Sequence, residues 1–176
     1  MESAVGGKGD PGIVFDSWLA KLGAAVEGRE TEAFGRLFLP DGFWRDILAF
    51  TWKRPTFSGR PAIREAFGAT VARAGAKNFR VAARESRPRF ARRSGRRVLE
   101  AWFDFDTAVG TGAGFVRLLH DESDTDDPKI WLLLTTLHSL KGFEDPVGIK
   151  RQTAYWGWRR YVRRRDLHAK GIYKSG

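Results

Sequence analysis

The chain has 176 residues, 42% of them hydrophobic and 30% charged, with a net charge of +10. That is room for one domain with a proper core and too little for two ordinary ones. The absence of cysteine excludes disulfides, zinc–thiolate sites and cysteine nucleophiles. The longest apolar run, Ile130–Leu134, is far short of the ~18 residues that a membrane span needs.

Residues 1–12 carry glycines and charges without an apolar centre, so no signal peptide is expected; the absence of cysteine leads us to expect a cytoplasmic location. Residues 1–10 read as a disordered leader. Asp10-Pro11 reads as an N-cap with proline at the first helical position. Phe15, Trp18, Leu19, Leu22 and Val26 then recur at helical spacing, so a helix is expected over 11–27, ended by Gly28. Thr31 is expected to cap a short second helix carrying Phe34, Leu37 and Phe38. Pro40-Asp41-Gly42 reads as a turn. Residues 43–52 alternate between aromatic, charged and aliphatic side chains, as a strand does when one face is buried. Gly59-Arg60-Pro61 opens a third helix, with Ile63, Phe67 and Val71 on one side and Gly75 as its stop.

The second half reads as strands. A basic strand is expected over 77–90, and a charged hairpin tip at Arg92–Arg97. Residues 98–109 place Leu99, Ala101, Phe103 and Phe105 on one face and Glu100, Trp102, Asp104 and Asp106 on the other. Gly110–Gly114 reads as a turn. Further strands are expected over 115–120 and 129–141. Three helices followed by a strand meander give an α+β domain over 11–149, its helices on the concave side of a curved antiparallel sheet. Residues 150–176 form a basic aromatic tail, partly helical, with Trp158, Tyr161 and Val162 on one face among arginines.

Gly7–Gly12 fits the letters of GxGxxG but follows no strand. Gly110–Gly114 leads into a strand and not a helix, so neither is a dinucleotide site. The histidines, His120, His138 and His168, have no metal-ligand spacing, and no GxSxG occurs. The residues able to act as acid or base in an apolar cavity are Asp46, Asp104 and His138. Each has an ordinary alternative as a structural or solvated group. Trp44, Trp52, Trp102 and Trp131, with Arg117 and Thr135, are candidates to line a ligand pocket; the tryptophans suit a core or a dimer face equally. Arg45 and Asp46 are adjacent and must face opposite ways on a strand.

The order helix–helix–strand–helix–sheet resembles the NTF2-like, or SnoaL-like, α+β cone. Asp41 to Gly59 (DGFWRDILAFTWKRPTFSG), Gly114-Phe115-Val116-Arg117-Leu118, and Trp131 to Gly142 (WLLLTTLHSLKG) with Glu144 after it resemble the NTF2-like region that precedes the flavin domain of a group of flavin-dependent monooxygenases. The resemblance spans roughly residues 13–160. Phe143 stands where that family usually has histidine, and the chain stops at 176 where the family runs on into a glycine-rich flavin-binding unit. The resemblance therefore implies a monooxygenase-associated module with no cofactor of its own. FAD and NAD(P)H are implied only if a flavin domain follows in a parent protein. The partners to expect are a small apolar ligand, a flavin domain or a second copy through the sheet, with no membrane. Two further readings stay open. One is a stand-alone isomerase, dehydratase or hydrolase using a pocket Asp/His pair. The other is a nucleic-acid binder using Arg80–Arg97 and Arg159–Arg165, the less expected of the three because arginine-rich solvated faces account for the charge equally well.

Overall fold

Asp10 caps the first helix as the sequence predicts. Its carboxylate accepts from the amides of Gly12 and Ile13, at 2.7 and 3.3 Å. In this computed structural model, which describes residues 9–83, 87–119 and 127–143, that helix is α1 (Pro11–Glu27). It is followed by α2 (Thr31–Arg36), β1 (Phe38–Ile47), β2 (Thr56–Ser58), α3 (Arg60–Ala74), β3 (Lys77–Val81), β4 (Arg89–Arg93), β5 (Arg96–Asp106), β6 (Gly110–Leu119) and β7 (Lys129–Leu140). All of these lie in one compact unit, Met1–Gly142. Residues 1–8 of the leader, the acidic loop at 120–126 and the whole tail from 150 lie outside the described residues. Among the described residues no helix is long and apolar enough to cross a membrane.

The strands form one sheet in the order β2-β1-β7-β6-β5-β3, with β4 also paired to β5. Strand β5 is long enough to hold two partners. Its first half, Arg96–Glu100, pairs with β4, and its second half, Phe103–Asp106, pairs with β3. The expected single strand over 77–90 is thus two strands. The sheet is mixed: every pair is antiparallel except β1 with β7, which is parallel. Helices α1 and α3 cover the inner face with Phe15, Trp18, Leu22, Ile63 and Phe67, all buried against Phe103, Phe105, Val116 and Leu133 of the strands.

Four local expectations are corrected. Pro40-Asp41-Gly42 is not a turn between elements but an irregular stretch inside β1, where the register with β7 shifts between Phe38 and Phe43. Gly42 is needed for close approach: a Cβ there would stand 2.8 Å from the carbonyl oxygen of Ile130. The strand expected over 43–52 ends at Ile47. Residues beyond it turn back, with Leu48 and Trp52 at φ of 68° and 55°. Gly110–Gly114 is not the hairpin turn but the first half of β6: Gly110 pairs with β7 and closes the turn with Thr107, and Thr111–Gly114 pair with both β5 and β7. The glycines there leave room for neighbouring rings. A methyl group on Gly112 would come within 2.4 Å of the edge of the Phe105 ring, and one on Gly114 within 2.1 Å of the Phe103 ring. The second helix is also shorter than expected. Glu30, not Thr31, precedes it, and Phe38 already belongs to β1.

Candidate functional site

The inner and outer faces of the sheet each carry a polar constellation. On the inner face, alternation along β1 buries Trp44 and Asp46 while Arg45 points outward and donates to Thr56 Oγ1 at 3.0 Å. The parallel register sets Asp46 opposite Thr135 of β7. Trp44 Nε1 donates to Thr135 Oγ1 at 3.0 Å, and Thr135 Oγ1 donates to Asp46 Oδ1 at 2.7 Å.

Asp46 is completely buried, and its remaining partners come from the turn after β1. The Phe50 amide lies 3.1 Å from Oδ2, the Thr51 amide 2.8 Å and the Thr51 hydroxyl 2.7 Å. Every partner is a donor. The carboxylate thus acts as a clamp that holds the 48–53 turn shut, with Phe50 turned inward beside Trp44 at 5.4 Å between rings. The cavity beside this clamp is lined by Leu22, Val26, Phe34, Trp44, Phe50 and Thr135, among others, and measures about 10 Å³. That is room for about one water, whereas small-molecule pockets run to ~300 Å³ and more. Aromatic rings pack in the same interior: Phe34 stacks on Phe67 at 3.9 Å, and Phe79 on Phe105 at 5.3 Å.

The outer face is organised around Glu100. Its side chain is only 5% exposed, although it sits on the sheet face away from the helices. Arg93 grips it with two bonds of 2.8 and 2.9 Å, Arg117 Nε donates at 2.9 Å, and Arg89 reaches it at 3.4 Å. Burial alone pushes this carboxyl upward. The hydrogen bonds and charges of Arg93 and Arg117 outweigh that and hold it below the ordinary glutamate value. Beside the cluster, Trp102 packs on Phe115 at 4.8 Å, and Arg96 lies over the Trp131 ring at 5.9 Å.

The nine residues singled out in the sequence therefore divide. Trp44, Asp46 and Thr135 meet on the inner face. Trp102, Asp104, Arg117 and Trp131 belong to the outer face, so they share no cavity with the first set. Asp104 is half-buried and opposite Arg80 and Ala113. His138 is exposed at an irregularity where β6 pairs with Leu137 and Ser139 on either side of it. Trp52 is not on a strand: it sits on the turn and is 45% exposed. Asp46, Asp104 and His138 are thus not gathered into an acid–base group. Phe50, Thr51 and the arginine partners of Glu100 were not singled out for these roles. For Arg89 and Arg93 the one signal was the arginine-rich run Arg87–Arg97. Among the described residues no group of three His, Asp or Glu is placed to hold a metal ion.

The architecture is that of the NTF2-like, or cystatin-like, cone. A ketosteroid isomerase-like protein from Erwinia carotovora atroseptica superposes with a TM-score of 0.51 at 12% identity, over 74% of this chain and 98% of that one. A cystatin-like fold protein from Burkholderia xenovorans gives 0.50 at 15% identity, over 76% and 95%. A putative aromatic ring hydroxylase from Novosphingobium aromaticivorans gives 0.50 at 14% identity, over 72% and 88%. Likeness at this level of identity establishes the fold alone. No family model matches the sequence, and no curated protein matches it.

Proposed function

We propose that this chain is a non-catalytic NTF2-like accessory module of the kind that precedes a flavin-dependent monooxygenase, acting by binding and not by chemistry inside its cone. The observation that carries the reading is the state of Asp46. Among the described residues, the one carboxylate that reaches the cone interior is saturated by Thr135, Phe50 and Thr51. A general base needs a free lone pair facing a substrate within hydrogen-bond reach. Here the neighbouring space admits about one water. The association with a flavin-dependent monooxygenase is supported by the resemblance of Asp41–Gly59 and Trp131–Gly142.

The competing reading is a stand-alone isomerase or dehydratase, in which Thr135 at the cavity wall and Asp46, hydrogen-bonded behind it, do the chemistry. One experiment separates the two. Purified chain is assayed without added flavoprotein against cyclic ketones and hydroxy-ketones, beside Asp46→Asn. The accessory reading expects no turnover by either protein. Turnover by the wild type that disappears in Asp46→Asn, with the fold retained, would replace it with the enzyme reading. The DNA beyond the codon for Gly176 tests the flavin association separately. The expected finding is a strand, GxGxxG and a helix in a continuing frame.

A further inference from the structure

The arginine array on the outer face has more positive charge than its own carboxylates neutralise. Arg89, Arg93 and Arg117 all address Glu100, and with Arg96 on the same face four guanidinium groups stand against the carboxylates of Glu100 and Asp104, so two positive charges are left over. Arg89 is the loosest of the three on Glu100, at 3.4 Å, and the most exposed, at 61%. The buried carboxylate fixes where the array sits. Arg89, Glu100 and Arg117 lie in one row across β4, β5 and β6.

The next row along the same face holds aromatic rings. Trp102 and Phe115 are cross-strand neighbours, both half-buried, with their rings 4.8 Å apart. Arg117 lies over the Phe115 ring, so the charged row and the aromatic row are joined. Successive rows on one face of a sheet are about 6.7 Å apart. Arg96 over Trp131 repeats the pairing of cation and ring at the other end of the face.

We propose that this outer face of β4–β7 binds single-stranded nucleic acid, with Arg89 and Arg96 facing phosphates and Trp102 and Phe115 stacking on unpaired bases. A positive row beside aromatic platforms is the combination that single strands require. A duplex keeps its base faces stacked inside and offers the rings nothing. A second copy of the chain is disfavoured on this face, because a two-fold contact through the cluster brings the same excess charge against itself. The inference goes beyond the accessory reading and does not depend on it.

The test is fluorescence anisotropy of the full chain with a labelled oligothymidylate of about 12 nucleotides, within the site sizes of sheet-based single-strand binders. Binding is expected to weaken as salt rises. Arg89→Gln with Arg96→Gln, which spares the closest partners of Glu100, should flatten the slope of log affinity against log salt by about 1.4, or ~0.7 for each lost phosphate contact. Trp102→Leu should weaken the single strand roughly tenfold while leaving duplex binding unchanged. Phe115→Leu gives the same reading should Trp102→Leu fail to fold. No binding near 0.15 M salt, the physiological range, would overturn the proposal. So would equal affinity for a duplex, equal affinity for oligoglutamate, or wild-type binding that the arginine variants leave unchanged. The last outcome would place the binding on other basic segments of the chain.

Discussion

Thr135 Oγ1 donates to Asp46 Oδ1 at 2.7 Å, and this bond ties the central strand β7 to the strand and turn that close one end of the cone. It is buried, and it continues to Trp44 through the same hydroxyl. Asp46→Asn preserves size but turns an amide NH2 toward donors, so one or two of the Phe50, Thr51 and Thr135 bonds must be lost. A hydrogen bond to a charged group contributes about 1.5–3 kcal/mol, and the variant should lose about 2–3 kcal/mol of unfolding free energy. Thr135→Val should lose about 1–2 kcal/mol by leaving the Trp44 indole and Asp46 each short of a partner. The double variant should lose less than the sum, because both changes remove one shared bond. Urea unfolding of the four proteins measures this. Strict additivity would show that the two residues act independently.

Gly114 and Phe103 are cross-strand partners, and the phenylalanine ring lies over the glycine. A methyl group at 114 has no space unless the ring moves, and the ring is fully buried among Trp18, Phe79 and Phe105. Gly114→Ala should therefore destabilise by about 1–3 kcal/mol through overpacking. In that background, Phe103→Leu should recover part of the loss, although alone it destabilises. Thermal melts of the three variants decide it. A Gly114→Ala protein as stable as wild type would mean that the core yields locally.

Those two pairs also mark the limit of what the chain discloses before folding. The helices were readable because Asp10, Gly28, Gly59 and Gly75 stand at their ends and the apolar positions between them keep one period. The alternation of β5 was readable for the same reason. The burial of Asp46 was not, since a carboxylate between two apolar runs looks the same whether it meets solvent, substrate or backbone donors. Only the parallel pairing of β1 with β7, 89 positions apart in sequence at Asp46 and Thr135, supplies its partners. The glycines of β6 misled because a run such as Gly110–Gly114 signals a turn locally. Their use here, making room for Phe103 and Phe105, depends on a register that no local pattern contains. The grouping of Trp102, Arg117 and Trp131 with Trp44 failed likewise, because tryptophans on strands do not announce their face.

Glu100 should govern behaviour in acid. Its carboxyl is held below the ordinary value, the upward push of burial being outweighed by Arg93 and Arg117. A carboxyl depressed in the folded state contributes stability above its unfolded value, and that stability is lost as pH falls through the folded value. The loss should therefore begin near pH 4.5, the ordinary glutamate value, and deepen below it. Asp106 adds to the loss further down, below its own ordinary value of 3.8, held low by the Asn78 amide and by Arg80. Glu100→Gln should lower stability at neutral pH by about 2 kcal/mol, less than a fully buried pair because its arginine partners reach solvent. It should also flatten the acid limb of the stability curve. Melting temperatures between pH 3 and 7, with and without the substitution, test this. Parallel curves would show that the cluster contributes nothing to acid sensitivity.

The hairpin between β4 and β5 allows a change in the stabilising direction. Arg93 pairs with Arg96, so the loop is the two residues Ser94 and Gly95. Both have positive φ, 49° and 77°, which is the mirror-image turn that matches strand twist. Gly95 adopts that conformation freely, and nothing lies within 4 Å of where its Cβ would be. Ser94 does not, because a side chain in the left-handed region is strained unless a short polar group compensates locally. Asparagine is the residue best suited to this first position. Ser94→Asn should raise stability by about 0.5 kcal/mol, set by the few tenths to one kcal/mol typical of turn optimisation. Because this hairpin positions Arg89 and Arg93 over Glu100, the gain should appear without any change in acid sensitivity. A fall in the melting temperature would mean that the turn differs from the geometry described.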